Sequence, residues 1–285
     1  MIGSPAAQGL ALASATSFGV SDFVGGVASR RVAALRVVLV STPVSMVLLG
    51  VLAVLGGGRI TAGAVVLGML GGISQALGIW WFYAALGAGP ISVVSPLAAV
   101  VDASVPVCIG RVMGERPGMI AGVGITLALG AVVLISWHAG EDGGTRAGLT
   151  RGVVWLTIAS GVALGMNFVF LDRTSADAGL WPLLFARAAA TVLVIAVAAM
   201  TRNLRVPTGT PLRLALLIAV LDTAANITML WALQLSLLSL ASVLISLYPA
   251  ATVVLAVVIL RERVRPRQVA GMVLAAVAVA MITAG

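Results

Sequence analysis

Ten runs of about twenty apolar residues, separated by short polar breaks, make up almost the whole chain: 7–29, 33–55, 62–86, 91–112, 118–137, 152–171, 180–200, 212–234, 237–259 and 267–284. A helix rises 1.5 Å per residue, so each run is long enough to cross a hydrocarbon core of about 30 Å and is read as a transmembrane helix. The core helices of a soluble protein carry a polar stripe with a period near 3.6, whereas Leu183–Met200 and Val269–Ala280 carry none. The first run has no basic residue before it and Arg30 after it, the reverse of a secretory signal, so it is expected to remain as a helix.

Composition agrees with that pattern. Hydrophobic residues make up 61% of the chain and charged ones only 9%, against about a quarter charged in globular domains. A soluble fold has no means of hiding so much apolar surface. The net charge of +8 comes from seventeen arginines with no lysine, most of them in loops and at helix ends. That is membrane-surface chemistry and not a nucleic-acid groove. Twelve of them, Arg30, Arg31, Arg36, Arg146, Arg151, Arg202, Arg205, Arg213, Arg261, Arg263, Arg265 and Arg267, fall in or beside the odd-numbered loops, while Arg59, Arg111, Arg116 and Arg173 fall on the other side. The positive-inside rule then places the odd-numbered loops in the cytoplasm and both termini outside. Cys108 is the only cysteine and lies within an apolar run, which leaves no internal disulfide and no cysteine pair for a metal.

The chain also repeats itself. A shift of 147 residues aligns Ala85–Ile135 with Ala232–Ile282 without a gap, with fifteen of fifty-one positions identical. The rarer matches are Ser92 and Ser95 with Ser239 and Ser242, Glu115-Arg116 with Glu262-Arg263, and Gly124 with Gly271. Five runs per half is an odd number, so the second half must enter the bilayer in the opposite sense. The expected fold is an all-α membrane protein of ten transmembrane helices in two inverted-topology five-helix repeats: residues 1–140, a connecting loop 141–150, and residues 151–285. Such repeats place the solute near the bilayer midplane and favour alternating access over a pore.

In the second half, Ala232-Leu233, Tyr248-Pro249, Glu262-Arg263 and Gly271 form a pattern that resembles the EamA-type repeat of the drug/metabolite transporter superfamily. The segments Phe18-Gly19 to Asp22-Phe23 and Leu164-Gly165 to Asn167-Phe168 resemble it too, as does an arginine in the second helix of each half, Arg36 and Arg187. The resemblance spans essentially the whole chain. It implies ten helices and movement of small metabolites or toxic organic compounds, often outward. In one place the chain departs from the pattern: Asp102 stands where the second repeat has Pro249, so a carboxylate replaces a kink.

Ionisable groups at the centre of a membrane helix cost about 2.5–3.5 kcal/mol on insertion scales, so each is expected to face the bundle interior or a wet cavity. Asp22, Asp102 and Asp222 are therefore candidates for a substrate or proton site, with the amides Gln75, Asn167 and Asn226 beside them. Asp222 and Asn226 are four residues apart and share a helix face. The competing reading is that these groups only hydrogen-bond helices together. Arg36 and Arg187 are assigned structural or gating roles, as are Glu115 and Glu262 beside their arginines and Pro249 at its kink. An ion pair of Asp22 with Arg36 is one expected geometry. Tyr83 and Trp231 are candidate cavity-lining rings, while Trp137, Trp155 and Trp181 sit at run ends as interfacial anchors.

A membrane-embedded enzyme is disfavoured, because the only histidine, His138, lies in a loop and no acid–histidine cluster has metal-ligand spacing. No glycine-rich loop ends in the Lys-Ser/Thr that would cradle a nucleotide phosphate, and no cofactor is expected. A channel would need polar rings along one pore, and a scaffold would need long hydrophilic tails. The expectation is a secondary carrier of a small organic solute in a bacterial inner membrane, embedded in lipid, as monomer or homodimer, with protons as a candidate coupling ion.

Overall fold

The computed structural model describes residues 4–29, 31–88, 91–136, 150–260 and 266–284. All regular elements among them are helical: α1 (Pro5–Ser29), α2 (Ala34–Gly56), α3 (Ala62–Ala88), α4 (Ile91–Val112), α5 (Met119–Ser136), α6 (Arg151–Asp172), α7 (Trp181–Met200), α8 (Thr210–Leu235), α9 (Leu238–Ile245), α10 (Tyr248–Leu260) and α11 (Pro266–Ala284), with a short 3₁₀ turn at Ala176–Ala178. Helix is what an apolar environment dictates, because each backbone N–H and C=O must find its partner within the segment. Among the described residues, five stretches are long and apolar enough to cross a membrane: Leu35–Gly56, Ala62–Phe82, Arg151–Asp172, Trp181–Met200 and Thr210–Leu235. α5 and α11 carry the shorter apolar stretches Met119–Ala131 and Val269–Ala278.

The ninth run, expected as one helix over 237–259, is two. Ile245 ends α9, and Tyr248-Pro249 opens α10. Proline has no N–H to give to the helix ladder and its ring meets the carbonyl four residues back, so the chain turns before Pro249 and restarts. All eight residues of α9 are buried. It joins Phe168, Leu171, Leu183, Met229 and Leu233 in the main apolar core.

Neighbouring helices are brought close by missing side chains. A Cβ on Gly68 or Gly72 of α3 would collide with the backbone of Pro182 or Ala186 in α7, and one on Gly165 of α6 would come within 2.7 Å of the Asp102 carbonyl oxygen in α4. In lipid, small residues at such crossings let van der Waals contact replace the missing hydrophobic drive between helices. The main pairings are α1 with α8, α9 and α10; α2 with α7 and α8; α3 with α6 and α7; α4 with α5, α6 and α9; and α5 with α11.

Contacts between loops tie the halves together at both ends of the bundle. At one end, Arg36 Nε in the first turn of α2 donates to Asn203 Oδ1 beyond α7, at 2.8 Å. At the other, the Arg59 N–H before α3 donates to the Asp177 carbonyl before α7, also at 2.8 Å.

Candidate functional site

α8 is held between α1 and α2 by hydroxyl groups. Ser14 Oγ of α1 donates to the Ala225 carbonyl at 2.8 Å, and Ser45 Oγ of α2 lies 2.9 Å from Thr223 Oγ1. Thr223 gives its own proton to the Ala219 carbonyl, so Ser45 is the donor in that pair. These contacts fix the rotation of α8 at the level of Asp222.

Asp222 is the centre of the constellation. Its Oδ2 pairs with Arg187 Nη2 of α7 at 2.5 Å. Asn226, one turn on, donates from Nδ2 to the Asp222 carbonyl at 2.7 Å and to its Oδ1 at 3.2 Å. Arg187 is 7% exposed, and both charges lie inside stretches long enough to span a membrane. Buried charges cost desolvation energy that only close pairing and further hydrogen bonds offset. The pair answers that cost by joining α7 to α8, which share few other contacts.

Asp22 lies on α1, which packs along α8, between Ser14, bonded to the Ala225 carbonyl, and Gly25, which faces Ile218. It is solvent-accessible and, among the described residues, has neither hydrogen bond nor counter-ion. Arg36, the partner the sequence suggested, is turned to Asn203 instead. One turn before Asp22, Phe18 meets the Tyr248 ring edge-on, with centroids 6.5 Å apart.

The other candidates are dispersed. Asp102 is 4% exposed in α4 and its Oδ1 has no hydrogen-bond partner, but α4 packs on α5, α6 and α9 rather than on α8. Asn167 is buried where α6 crosses α3, facing Gly71. Gln75 is half-buried on α3 and makes no hydrogen bond to the ion pair. Trp231 follows Asp222 by nine residues, which puts it on the opposite face of α8, and it is 44% exposed. Pro249 stands in the first turn of α10. The side chain of Tyr83 and all of Glu262 lie outside the described residues.

Glu115 does not pair with Arg116. Its carboxylate accepts from the N–H groups of Leu238 and Ser239 and from Ser239 Oγ, capping α9 from the loop that follows the neighbouring helix α4. Asp172, which the sequence did not single out, ends α6 within electrostatic reach of Glu115. Arg173 contacts both Asp172 and the Met113 sulfur there. A usable signal did exist for this cluster, since Glu115 and Ser239 both belong to the positions the 147-residue repeat preserves. Among the described residues no group of histidine, cysteine, aspartate and glutamate is arranged to hold a metal.

Long apolar helices with a charged pair held between two of them define a multi-pass integral membrane protein. Residues 150–284 match the EamA-like transporter family. That match makes the second half of the chain similar to the EamA-like transporters, a family that moves small solutes across membranes. A solved crystal structure, of a chain described only as a protein, is similar over 98% of this chain and 95% of its own, with a TM-score of 0.80 and 15% identity. That likeness concerns the fold. No curated protein matches the chain.

Proposed function

We propose that the chain is a secondary carrier that moves a small organic solute by alternating access between two inverted five-helix repeats, residues 1–140 and 151–285 joined by 141–150. The solute site is the constellation of Asp22, Arg187, Asp222 and Asn226. The observation that carries this reading is the Arg187–Asp222 pair, since ionisable groups within membrane spans are costly to house and by default mark solute or ion pathways.

The pairing of helices supports the repeat. Exchanging α1 with α6, α2 with α7, α3 with α8, α4 with α9 and α10, and α5 with α11 turns α1–α8 into α6–α3 and α2–α8 into α7–α3. It leaves α2–α7, α4–α9 and α5–α11 as they are. Two halves related in this way can trade shapes, which opens the site first to one side and then to the other. The arginine-rich loops favour a cytoplasmic position for the odd-numbered loops of a bacterial inner-membrane protein. Efflux, with proton movement through Asp22, Asp222 or the unpartnered Asp102, is the direction and coupling this reading adopts; Gln75 and Asn167 serve it from flanking helices.

The test is counterflow in proteoliposomes loaded with pooled amino acids, organic cations and organic anions, with internal pH followed by a dye. Saturable, trans-stimulated exchange that is lost in Asp222→Asn is the expected result. A flux that neither saturates nor responds to solute on the far side would describe a pore and overturn the reading. Exchange without any proton flux would retain the carrier and remove the coupling.

A further inference from the structure

We propose that the lipid-facing cleft between α2, α3 and α7 is a binding site for one anionic phospholipid, with an acyl chain in the cleft and the phosphate against Arg202. The cleft follows from the helix pairing. α2 and α3 both pack along α7 and hardly on each other, which leaves a hollow of about 320 Å³ with α7 as its floor. Leu193, Val194 and Val197 make that floor, Val38 of α2 stands on one side, and Ile79 and Trp80 of α3 stand on the other. From Leu193 to Thr201, its outer end, the floor runs ~12 Å along the helix, close to the depth of one leaflet of a hydrocarbon core of about 30 Å.

The cleft offers a polar solute little to hold. Thr201 supplies its one hydroxyl, and Thr201 Oγ1 gives its proton to the Val197 carbonyl at 2.8 Å. The 147-residue shift sets Ile79 against Asn226 and Ala76 against Thr223, so the cleft has apolar side chains where the second half has polar ones. An aliphatic chain is what such a surface accepts, and in a bilayer the neighbouring lipids supply it.

Positive charge gathers at the outer end of the cleft. α7 ends at Met200, and the chain turns through Arg202, whose φ of 53° is the left-handed conformation that favours glycine. The Arg202 N–H donates to the Ala199 carbonyl at 3.1 Å, and Arg36 Nε holds the next residue, Asn203, at 2.8 Å. An arginine is thus fixed, under strain, directly beyond the mouth of the cleft, and strain that the surroundings hold in place points to function. Arg31 and Arg205 lie exposed at the same end and, like Arg202, have no side-chain partner among the described residues. The described carboxylates are elsewhere: Glu115, Asp172 and Asp177 at the opposite end of the bundle, and Asp22, Asp102 and Asp222 within helices. A zwitterionic lipid would bring a cation that finds no acid there. Basic side chains beside a hollow between membrane helices are the arrangement that holds an anionic headgroup.

The experiment uses the full chain, delipidated in detergent, with native mass spectrometry to count bound lipid. Phosphatidylglycerol is the probe. Phosphatidylcholine with the same acyl chains, and glycerol phosphate as a headgroup without chains, are the comparison ligands. One phosphatidylglycerol is expected to bind saturably and severalfold more tightly than phosphatidylcholine, and glycerol phosphate should not displace it. Arg202→Gly, which removes the charge and relieves the turn, should weaken phosphatidylglycerol about fivefold, the weight of one arginine at an anionic surface, and leave phosphatidylcholine unchanged. Ala76→Phe, which fills the cleft and leaves every charge in place, should weaken both lipids and provides a second reading if Arg202→Gly does not fold. Equal affinity for the two lipids overturns the anionic assignment. A preference indifferent to both variants belongs to the arginine-rich surface as a whole and overturns the cleft as its site. Displacement by glycerol phosphate makes the ligand a soluble anion and overturns the lipid. None of these readouts depends on transport, so each failure leaves the carrier reading standing.

Discussion

Glu115 accepts a 2.6 Å hydrogen bond from the Ser239 hydroxyl and so ties the end of α4 to the start of α9. Two backbone N–H groups of α9 bond to the same carboxylate, while the helix's own N-cap residue, Leu237, supplies no side-chain cap. A negative charge at a helix N-terminus gains from the dipole as well as from the bonds. There is room for it because Gly110 has no Cβ, which would otherwise strike the Glu115 carboxylate.

This contact closes the bundle at the end where α4 and α6 finish, and its loss should loosen that end. In a Cys108→Ala background, Ser239→Cys is expected to react severalfold faster with a membrane-impermeant maleimide when Glu115→Gln is also present. An unchanged rate would mean that the cap is local and holds no gate.

The 147-residue repeat pairs Glu115 with Glu262 and Ser239 with Ser92. Under alternating access the two glutamates should therefore act at opposite ends of the bundle. Glu262→Gln is expected to shift labelling of a cysteine placed at Ser92 from the other side of the membrane, and to leave Ser239→Cys slower or unchanged. Parallel effects of the two variants at the same end would contradict the inverted relation.

The Arg187–Asp222 pair should behave as a unit. Removing one partner leaves a buried charge alone, a loss on the order of 3–5 kcal/mol. Arg187→Ala and Asp222→Ala should each lower the thermal midpoint sharply in detergent. The double variant Arg187→Met with Asp222→Leu should recover most of the stability and none of the transport. Full stability in the single variants would show that water reaches both charges freely.

Arg36 is expected to be a brace and not a ligand. Its bond to Asn203 should contribute about 1.5–3 kcal/mol, the range for hydrogen bonds to charged groups. In a double-mutant cycle, Arg36→Ala and Asn203→Ala should each lower stability and should not add. The KM of any solute carried should stay within about twofold, since one kcal/mol of lost binding would already exceed that.

Gly72 should tolerate no side chain. Gly72→Ala places a methyl against the Ala186 carbonyl, and overpacking of this kind typically costs 1–3 kcal/mol, or about that in a membrane crossing. Gly9→Ala, where nothing lies within 4 Å, is the control and should be neutral. Comparison of their thermal midpoints measures how tightly α3 must approach α7.

The apolar run lengths were sufficient to locate the helices, apart from the break between α9 and α10, and to identify the membrane as their solvent, because those properties are local: a helix satisfies its own backbone, and lipid accepts any apolar surface it presents. The proposed duplication rests on a pattern of the same local kind, Glu115-Arg116 against Glu262-Arg263 and the serine at 92 against that at 239. Partner choice was not legible. Arg36 and Arg187 look alike along the chain, yet one reaches Asn203 at the end of the bundle and the other Asp222 within it. Trp231 follows Asp222 closely in sequence and faces away from it, and Glu115 ignores the adjacent Arg116 for a helix more than a hundred residues away. Each of these depends on the rotation and depth of one helix against another, set by glycine crossings and hydroxyl bonds between distant segments. An apolar pattern says only that a surface is buried or lipid-facing; which surface it meets is decided when the helices pack.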